Sequence, residues 1–190
     1  EKLFAVFSEN MGPEQYKILA EEIGRLIIDG VDGIVIGHGT DTMHHTSAIL
    51  SYMVQNTPIP IVIVGSQRSS DRPSSDAAIN LLNSAFAAAH SDIAEVMVCM
   101  FGPTSDDYGL LHMGTRVRKM HSSYRSTFRT IGDIPLAMVW SDRVVPLRNH
   151  KMRRNDNNVV INTAYEEKVT LLYYYPGMNP DIIDSLVEKG

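Results

Sequence analysis

The stretch from Val31 to Leu50, VDGIVIGHGTDTMHHTSAIL, decides the fold. Ile34, Val35 and Ile36 form a short β-branched apolar run bracketed by Asp32-Gly33 and Gly37, the pattern of a strand buried on both faces. Gly37 and Gly39 allow a tight turn, and Thr40 and Asp41 are both residue types that cap helix N-termini. Met43, Ser47, Leu50 and Val54 then recur at helical spacing. The reading is therefore strand, glycine turn, helix. In an open parallel sheet such a turn lies at the carboxyl end of a strand, where these folds bind ligands. Thr40 and Asp41 would there present a hydroxyl, a carboxylate and backbone N–H groups. Alone, such a pair does no more than cap a helix, so its neighbours matter.

On the N-terminal side, Leu3–Phe7 reads as a strand that runs into the polar turn Ser8-Glu9-Asn10. Gly12-Pro13 opens a helix whose apolar stripe is Leu19, Ile23, Leu26 and Ile27, ended by Asp29-Gly30. On the C-terminal side, Asn56, Pro58 and Pro60 break the chain before the strand Ile61–Val64, which is followed by the long polar loop Ser66–Asp76. A helix starting near Ser74 or Ser75 carries Ile79, Leu82, Phe86 and Ala89, and Glu95–Met100 is a fourth strand. Alternating strands and helices predict an α/β fold: an open, mostly parallel Rossmann-like sheet with right-handed crossovers and helices on both faces. Beyond Gly102 the pattern weakens, with strands expected only at Ile134–Trp140 and Lys168–Tyr175 and a short helix after Asn179-Pro180. Three units are expected: an amino-terminal domain over 1–140, a polar linker over 141–162 and the beginning of a smaller α/β carboxyl-terminal domain over 163–190.

Composition narrows the function classes. The 190 residues carry a net charge of −5, which invites neither nucleic acid nor a membrane surface through total charge. The apolar runs are strand-length, far short of the roughly 20 residues of a spanning helix. The single cysteine, Cys99, excludes an internal disulfide and, within an apolar run, reads as a buried inert thiol. The chain starts without Met and stops after a helix-like segment, so it reads as part of something longer.

Three polar clusters follow strand ends: Ser8-Glu9-Asn10, His38-Gly39-Thr40-Asp41 and Ser66-Gln67-Arg68. At the ends of adjacent parallel strands they would converge on one crevice. The loop Ser66–Asp76 lacks the glycines and lysine of a phosphate cradle, and a rigid, internally hydrogen-bonded pocket wall is the better reading. His44 and His45 are neighbours, hence about 100° apart on a helix, whereas a zinc helix wants ligands four residues apart. His38, His44 and His45 therefore read as surface or packing residues. Between Arg116 and Arg129 lie six basic residues, counting His121. They form a solvated face, a contact for phosphate or RNA, or the setting of a base: Lys119, crowded by Arg116 and Arg118, would be pushed toward its neutral form.

These residues together resemble a known family. His38-Gly39-Thr40-Asp41-Thr42-Met43 is similar to a signature of the bacterial-type asparaginases, and Ser8-Glu9-Asn10-Met11 to their substrate-binding turn. Gly65-Ser66-Gln67-Arg68, Ser75-Asp76 and Asn80-Leu81 follow the next family block, and Lys119 with Phe128 fits the catalytic-lysine segment. More narrowly, GSQRSSDRPSSDAAINL, VRKMHSSYRSTFRTI and YPGMNPDIIDSLVEKG resemble the D-subunit family of the archaeal glutamyl-tRNA(Gln) amidotransferases. The resemblance implies a glutaminase in which Thr40, Asp41 and Lys119 are catalytic. Ser8 would bind the substrate's α-carboxylate, while Glu9 and Asp41 face its α-amino group. It also implies an E-subunit partner bearing the ATP and Mg2+ chemistry, glutamine as substrate, tRNA(Gln) in the assembled complex, a homodimer of this subunit, and a cytoplasmic location. No cofactor, metal or membrane contact is implied for the chain itself. The family's first catalytic threonine sits in a Thr-Gly-Gly-Thr-like turn that this sequence does not contain, so the segment alone is expected to be inactive. The rival readings are a free-standing L-asparaginase and a non-catalytic RNA-binding scaffold.

Overall fold

The computed structural model describes residues 2–150 and 152–189. Along the chain, α1 (Pro13–Ile28) and β1 (Ile34–Gly37) lead to α2 (Met43–Met53), the two-residue β2 (Val54–Gln55), β3 (Ile61–Val64), α3 (Ala77–His90) and β4 (Val96–Phe101). There follow β5 (Gly109–Met113), β6 (Val117–Lys119), β7 (Phe128–Thr130), β8 (Ala137–Val139), β9 (Val144–Pro146), β10 (Val160–Ile161) and α4 (Asp181–Lys189). The strand–turn–helix unit expected within Val31–Leu50 is β1 and α2. α1 starts where the Gln15 side chain accepts the Gly12 N–H at 3.0 Å, and it buries Tyr16, Leu19, Ala20 and Ile23.

The six-stranded sheet has the order β1-β3-β4-β5-β8-β9. β1, β3 and β4 are parallel, in the register Val35↔Val62↔Met97. β5, β8 and β9 complete the sheet as antiparallel strands. Every residue of β3 and β4 is apolar and buried, as central strands covered on both faces must be. Ile61, Ile63, Val96, Val98 and Met100 pack with Leu19 and Ile23 of α1 and Met43 and Leu50 of α2. Val62, Met97 and Cys99 pack on the other face with Ala87 and Ala88 of α3. Cys99 is a buried free thiol whose pKa is pushed up to about 12 by burial, which makes it a packing residue.

This arrangement corrects one expectation. The connections β1–α2–β3 and β3–α3–β4 step the same way across the sheet, yet α2 and α3 lie on opposite faces. Parallel crossovers stepping one way share a hand only when their helices share a face, so one of these two is left-handed, against the usual right-handed rule. The reason is coverage. Two right-handed connections would put α2 and α3 on one face and take one of these two covers from the other.

Two expected strands are not formed. Leu3–Phe7 and Lys168–Tyr175 have strand composition, but neither joins a ladder. Phe7 is 78% exposed and Tyr174 82% exposed. Inside the segment expected to be an irregular linker, β9 extends the sheet and β10 pairs with β2. No residue of α4 is buried. No helix among the described residues is long and apolar enough to cross a membrane.

Candidate active site

β1 and β3 end side by side at Gly37 and Val64, so the turns that follow them emerge at one edge of the sheet. The two turns touch because residue 65 is glycine. A Cβ there would lie 2.5 Å from the His38 carbonyl oxygen and 3.2 Å from Thr40 Cγ2. The second short ladder, β6 with β7, packs beside α2 and brings Lys119 to the same place. Lys119 Nζ donates to Thr40 Oγ1 at 2.8 Å and to Asp41 Oδ1 at 2.7 Å. The lysine side chain is only 7% exposed, while that of Asp41 is 57% exposed. An amine, a hydroxyl and a carboxylate in mutual contact, buried at the amine and open at the carboxylate, can pass a proton to or from a bound molecule.

The arginines beside Lys119 are occupied elsewhere. Adjacent residues on a strand point to opposite faces, and Arg118 reaches the Tyr173 hydroxyl at 3.3 Å. Arg116 Nε lies 3.8 Å from Asp133. Thr40 and Asp41, rather than a crowd of arginines, are thus the polar groups the lysine amine touches.

The Ser8-Glu9-Asn10 turn joins the site as a 3₁₀ turn that follows an extended but unpaired segment. Thr42 Oγ1 donates to the Ser8 carbonyl oxygen at 2.6 Å, which ties this turn to the start of α2. Gly39 permits the approach, since a Cβ at that position would lie 2.9 Å from Ser8 Oγ. Ser8 is 5% exposed, and its hydroxyl donates to Glu9 Oε2 at 3.0 Å. Ser8, Glu9, Thr40, Asp41 and Lys119 therefore all belong to one constellation, Ser8 and Glu9 through Gly39 and Thr42.

The loop after β3 is rigid for a reason visible in its partners. Asp76, fully buried, accepts the backbone N–H groups of Gln67 and Arg68 and the Asn80 amide, each at 2.9 Å. Asn80 also donates to the Gly65 carbonyl at 3.0 Å. Gln67 then donates to the Tyr124 carbonyl at 3.0 Å, fastening this loop to the chain beyond Lys119. Arg68, Arg72 and Arg125 line an open cavity of about 400 Å³ there.

The histidines sort differently from one another. His44 and His45 stack with ring centroids 4.1 Å apart. Burial, then the charges of His45, Arg118 and Lys119, push the His44 pKa down to about 4. Among the described residues no group of three or more His, Cys, Asp or Glu is placed to hold a metal ion. His38 is more than a packing residue: Nε2 meets Thr46 Oγ1 at 2.9 Å and Nδ1 meets the Gly39 carbonyl at 2.6 Å. His38, Thr42 and Asp76 are the residues whose part in the site the sequence reading missed. Thr42 and Asp76 both lie in stretches that resemble family motifs, but their hydrogen-bond partners are set by the fold and cannot be read from those stretches.

A family model described as asparaginase, N-terminal, matches residues 1–152. The chain belongs to the asparaginase family. Its relatives in that family include the D subunit of glutamyl-tRNA(Gln) amidotransferase from Pyrococcus furiosus, 52% identical over 189 residues, which cover 99% of this chain and 43% of that one. The protein of the same name from Metallosphaera sedula is 50% identical over 192 residues, covering 100% of this chain and 44% of the relative. The chain thus spans less than half the length of these relatives. Among solved asparaginase-family structures, the thermostable L-asparaginase from Thermococcus kodakarensis superposes with a TM-score of 0.84 at 28% identity, over 98% of this chain and 53% of that one. L-asparaginase I from Vibrio cholerae gives 0.81 at 30% identity, over 96% and 53%.

Proposed function

We propose that this chain carries the catalytic half-site of a glutaminase subunit in a tRNA-dependent amidotransferase. The whole protein hydrolyses the side-chain amide of glutamine, and the ammonia converts Glu-tRNA(Gln) to Gln-tRNA(Gln) on a partner E subunit. The names of relatives at about 50% identity support the subunit assignment. The observation that carries the chemistry is the contact of Lys119 Nζ with Thr40 Oγ1 at 2.8 Å and Asp41 Oδ1 at 2.7 Å.

In this reading Lys119 takes the proton of the hydroxyl or water that attacks the amide carbon. The C–N bond breaks and the nitrogen leaves as ammonia with that proton. Attack by water gives glutamate directly, whereas attack by a hydroxyl leaves an ester that a water molecule then hydrolyses, freeing glutamate and restoring the hydroxyl. Asp41, open to solvent, holds the substrate's α-ammonium and steadies the lysine. Ser8 binds the α-carboxylate, and Glu9 turns toward the ammonium. A zwitterion needs one anionic and one donating clamp, and these residues supply both. The family's Thr-Gly-Gly-Thr turn is not in this sequence, so the 190 residues alone are expected to be inactive. Residues 163–190, with no buried side chain in α4, fit the start of a second domain. ATP and Mg2+ are assigned to the partner, and the subunit to a cytoplasmic homodimer.

The test is ammonia release from glutamine by the full-length protein with and without Lys119→Ala. Loss of a positioned base lowers kcat by about 10²- to 10⁴-fold. A variant within a few-fold of the parent would end the assignment of Lys119. The solved L-asparaginase neighbours favour a second reading, a free-standing L-asparaginase. Faster hydrolysis of asparagine than of glutamine, with neither partner nor tRNA present, would establish that one instead.

A further inference from the structure

Two polar contacts lead from α2 through His38 to the peptide that precedes Thr40. Thr46, on α2, is fully buried. Thr46 Oγ1 lies 2.9 Å from His38 Nε2, and His38 Nδ1 lies 2.6 Å from the Gly39 carbonyl oxygen. The directions of these bonds follow from what each atom can do. A carbonyl oxygen only accepts, so Nδ1 must carry a proton. In a neutral imidazole Nε2 is then the acceptor, so the Thr46 hydroxyl must donate to it. For the neutral ring this is the one arrangement that satisfies both nitrogens.

Burial also favours it, because desolvation holds the His38 pKa below the usual histidine range, and the Gly39 carbonyl only partly offsets that. These contacts end one peptide before the proposed catalytic hydroxyl. A peptide is planar, so fixing the Gly39 carbonyl fixes the plane from which Thr40 departs. Gly39 and Gly65 let the neighbouring turns close tightly on this one, and the His38 ring adds a direct hold on the Gly39 peptide itself.

We propose that His38, held through Nε2 by Thr46 and through Nδ1 by the Gly39 carbonyl, is a positioning residue that aligns the Thr40 hydroxyl with Lys119. It touches no substrate. Its effect falls on the chemical step, and it rests on the glutaminase reading given above.

Two substitutions separate the two ring nitrogens. In His38→Asn the side-chain amide sits where Nδ1 was and keeps the bond to Gly39. In His38→Gln the amide reaches the place of Nε2, which keeps Thr46 and abandons Gly39. In full-length protein, His38→Gln should lower kcat for glutamine hydrolysis on the order of 10-fold or more with KM within about twofold, since misaligned reacting groups cost rate rather than binding. His38→Asn should stay within about threefold of the parent. Equal losses in the two variants, or none in either, would overturn the proposal. Should a His38 variant fail to fold, Thr46 gives an independent check. Thr46→Ser keeps the donor and should keep kcat, whereas Thr46→Val, isosteric but without a hydroxyl, should lower it. Parental kcat in Thr46→Val would equally overturn the proposal. The Lys119→Ala control keeps the failures apart: if it is inactive while His38→Gln is normal, the positioning role fails and the glutaminase reading stands.

Discussion

His112 is charged in the unfolded chain at mildly acidic pH and resists charging in the native one. It lies on β5, 1% exposed, with Nδ1 2.8 Å from Thr130 Oγ1 and with no hydrogen-bond partner for Nε2 among the described residues. Burial first, and then the charge of Arg129, push its pKa from 6.5 down to about 3. Between those values the unfolded state binds more protons than the native state, so stability rises with pH across that window and is lost as pH falls. Above about pH 6.5 both states are neutral and the histidine adds no slope. His44, with its pKa near 4, pulls in the same direction. Urea midpoints of the protein should therefore decline from pH 7 to pH 4. His112→Asn keeps a polar atom near Thr130 but cannot titrate there, and it should flatten the decline. An unchanged slope would place the acid sensitivity elsewhere.

At the level of elements, α3 is more than cover for the sheet, because its first residues hold the loop that faces the site. Asp76 takes three donors on two carboxylate oxygens. An amide offers one oxygen and sets its NH2 against a donor, so Asp76→Asn should cost about 2–3 kcal/mol. It should also open residues 66–76 to proteolysis in the native state, and resistance equal to that of the parent would contradict the account. This architecture was legible where local pattern suffices. Val31–Leu50 yields β1, the turn and α2, because the apolar run, the glycines and the helical spacing sit within twenty residues. The parallel strands β3 and β4 declare themselves by unbroken apolar composition. What could not be read locally was pairing. Leu3–Phe7 and Lys168–Tyr175 look like strands but find no neighbour, while β5, β6 and β7 are short strands defined by their ladders. The same limit governs the site. Thr40 and Asp41 stood out from the turn, and Lys119, almost eighty residues away, could be joined to them only through family resemblance. The contact of Thr46 with His38 depends on how α2 packs over the turn before it, so no spacing reveals it.

For the molecule as a whole, the chain beyond the sheet returns to fasten the end opposite the site. Arg154, from the segment expected to be an irregular linker, donates through Nε to the Ser91 carbonyl at 2.6 Å. Its Nη2 donates to the carbonyls of Ala88 at 2.6 Å and Ala89 at 3.1 Å, and its Nη1 donates to that of Asp32. One guanidinium thus caps the C-terminal end of α3, where the helix dipole is negative, and joins it to the entrance of β1. The two elements meet closely at that entrance, since a Cβ on Gly33 would lie 2.1 Å from the Ala88 oxygen. Removing the guanidinium leaves several carbonyls without their donors at a packed junction, so Arg154→Ala should cost about 2–4 kcal/mol in denaturant unfolding. Arg154→Lys keeps the charge but offers a single point rather than a planar fork, and it should recover only part of that loss. Asp32 precedes β1 and Thr40 follows it, so kcat per folded molecule should be unchanged in both variants. Full recovery by lysine would mean that charge alone holds the junction. A fall in kcat at unchanged stability would mean instead that this end of the sheet is coupled to Lys119.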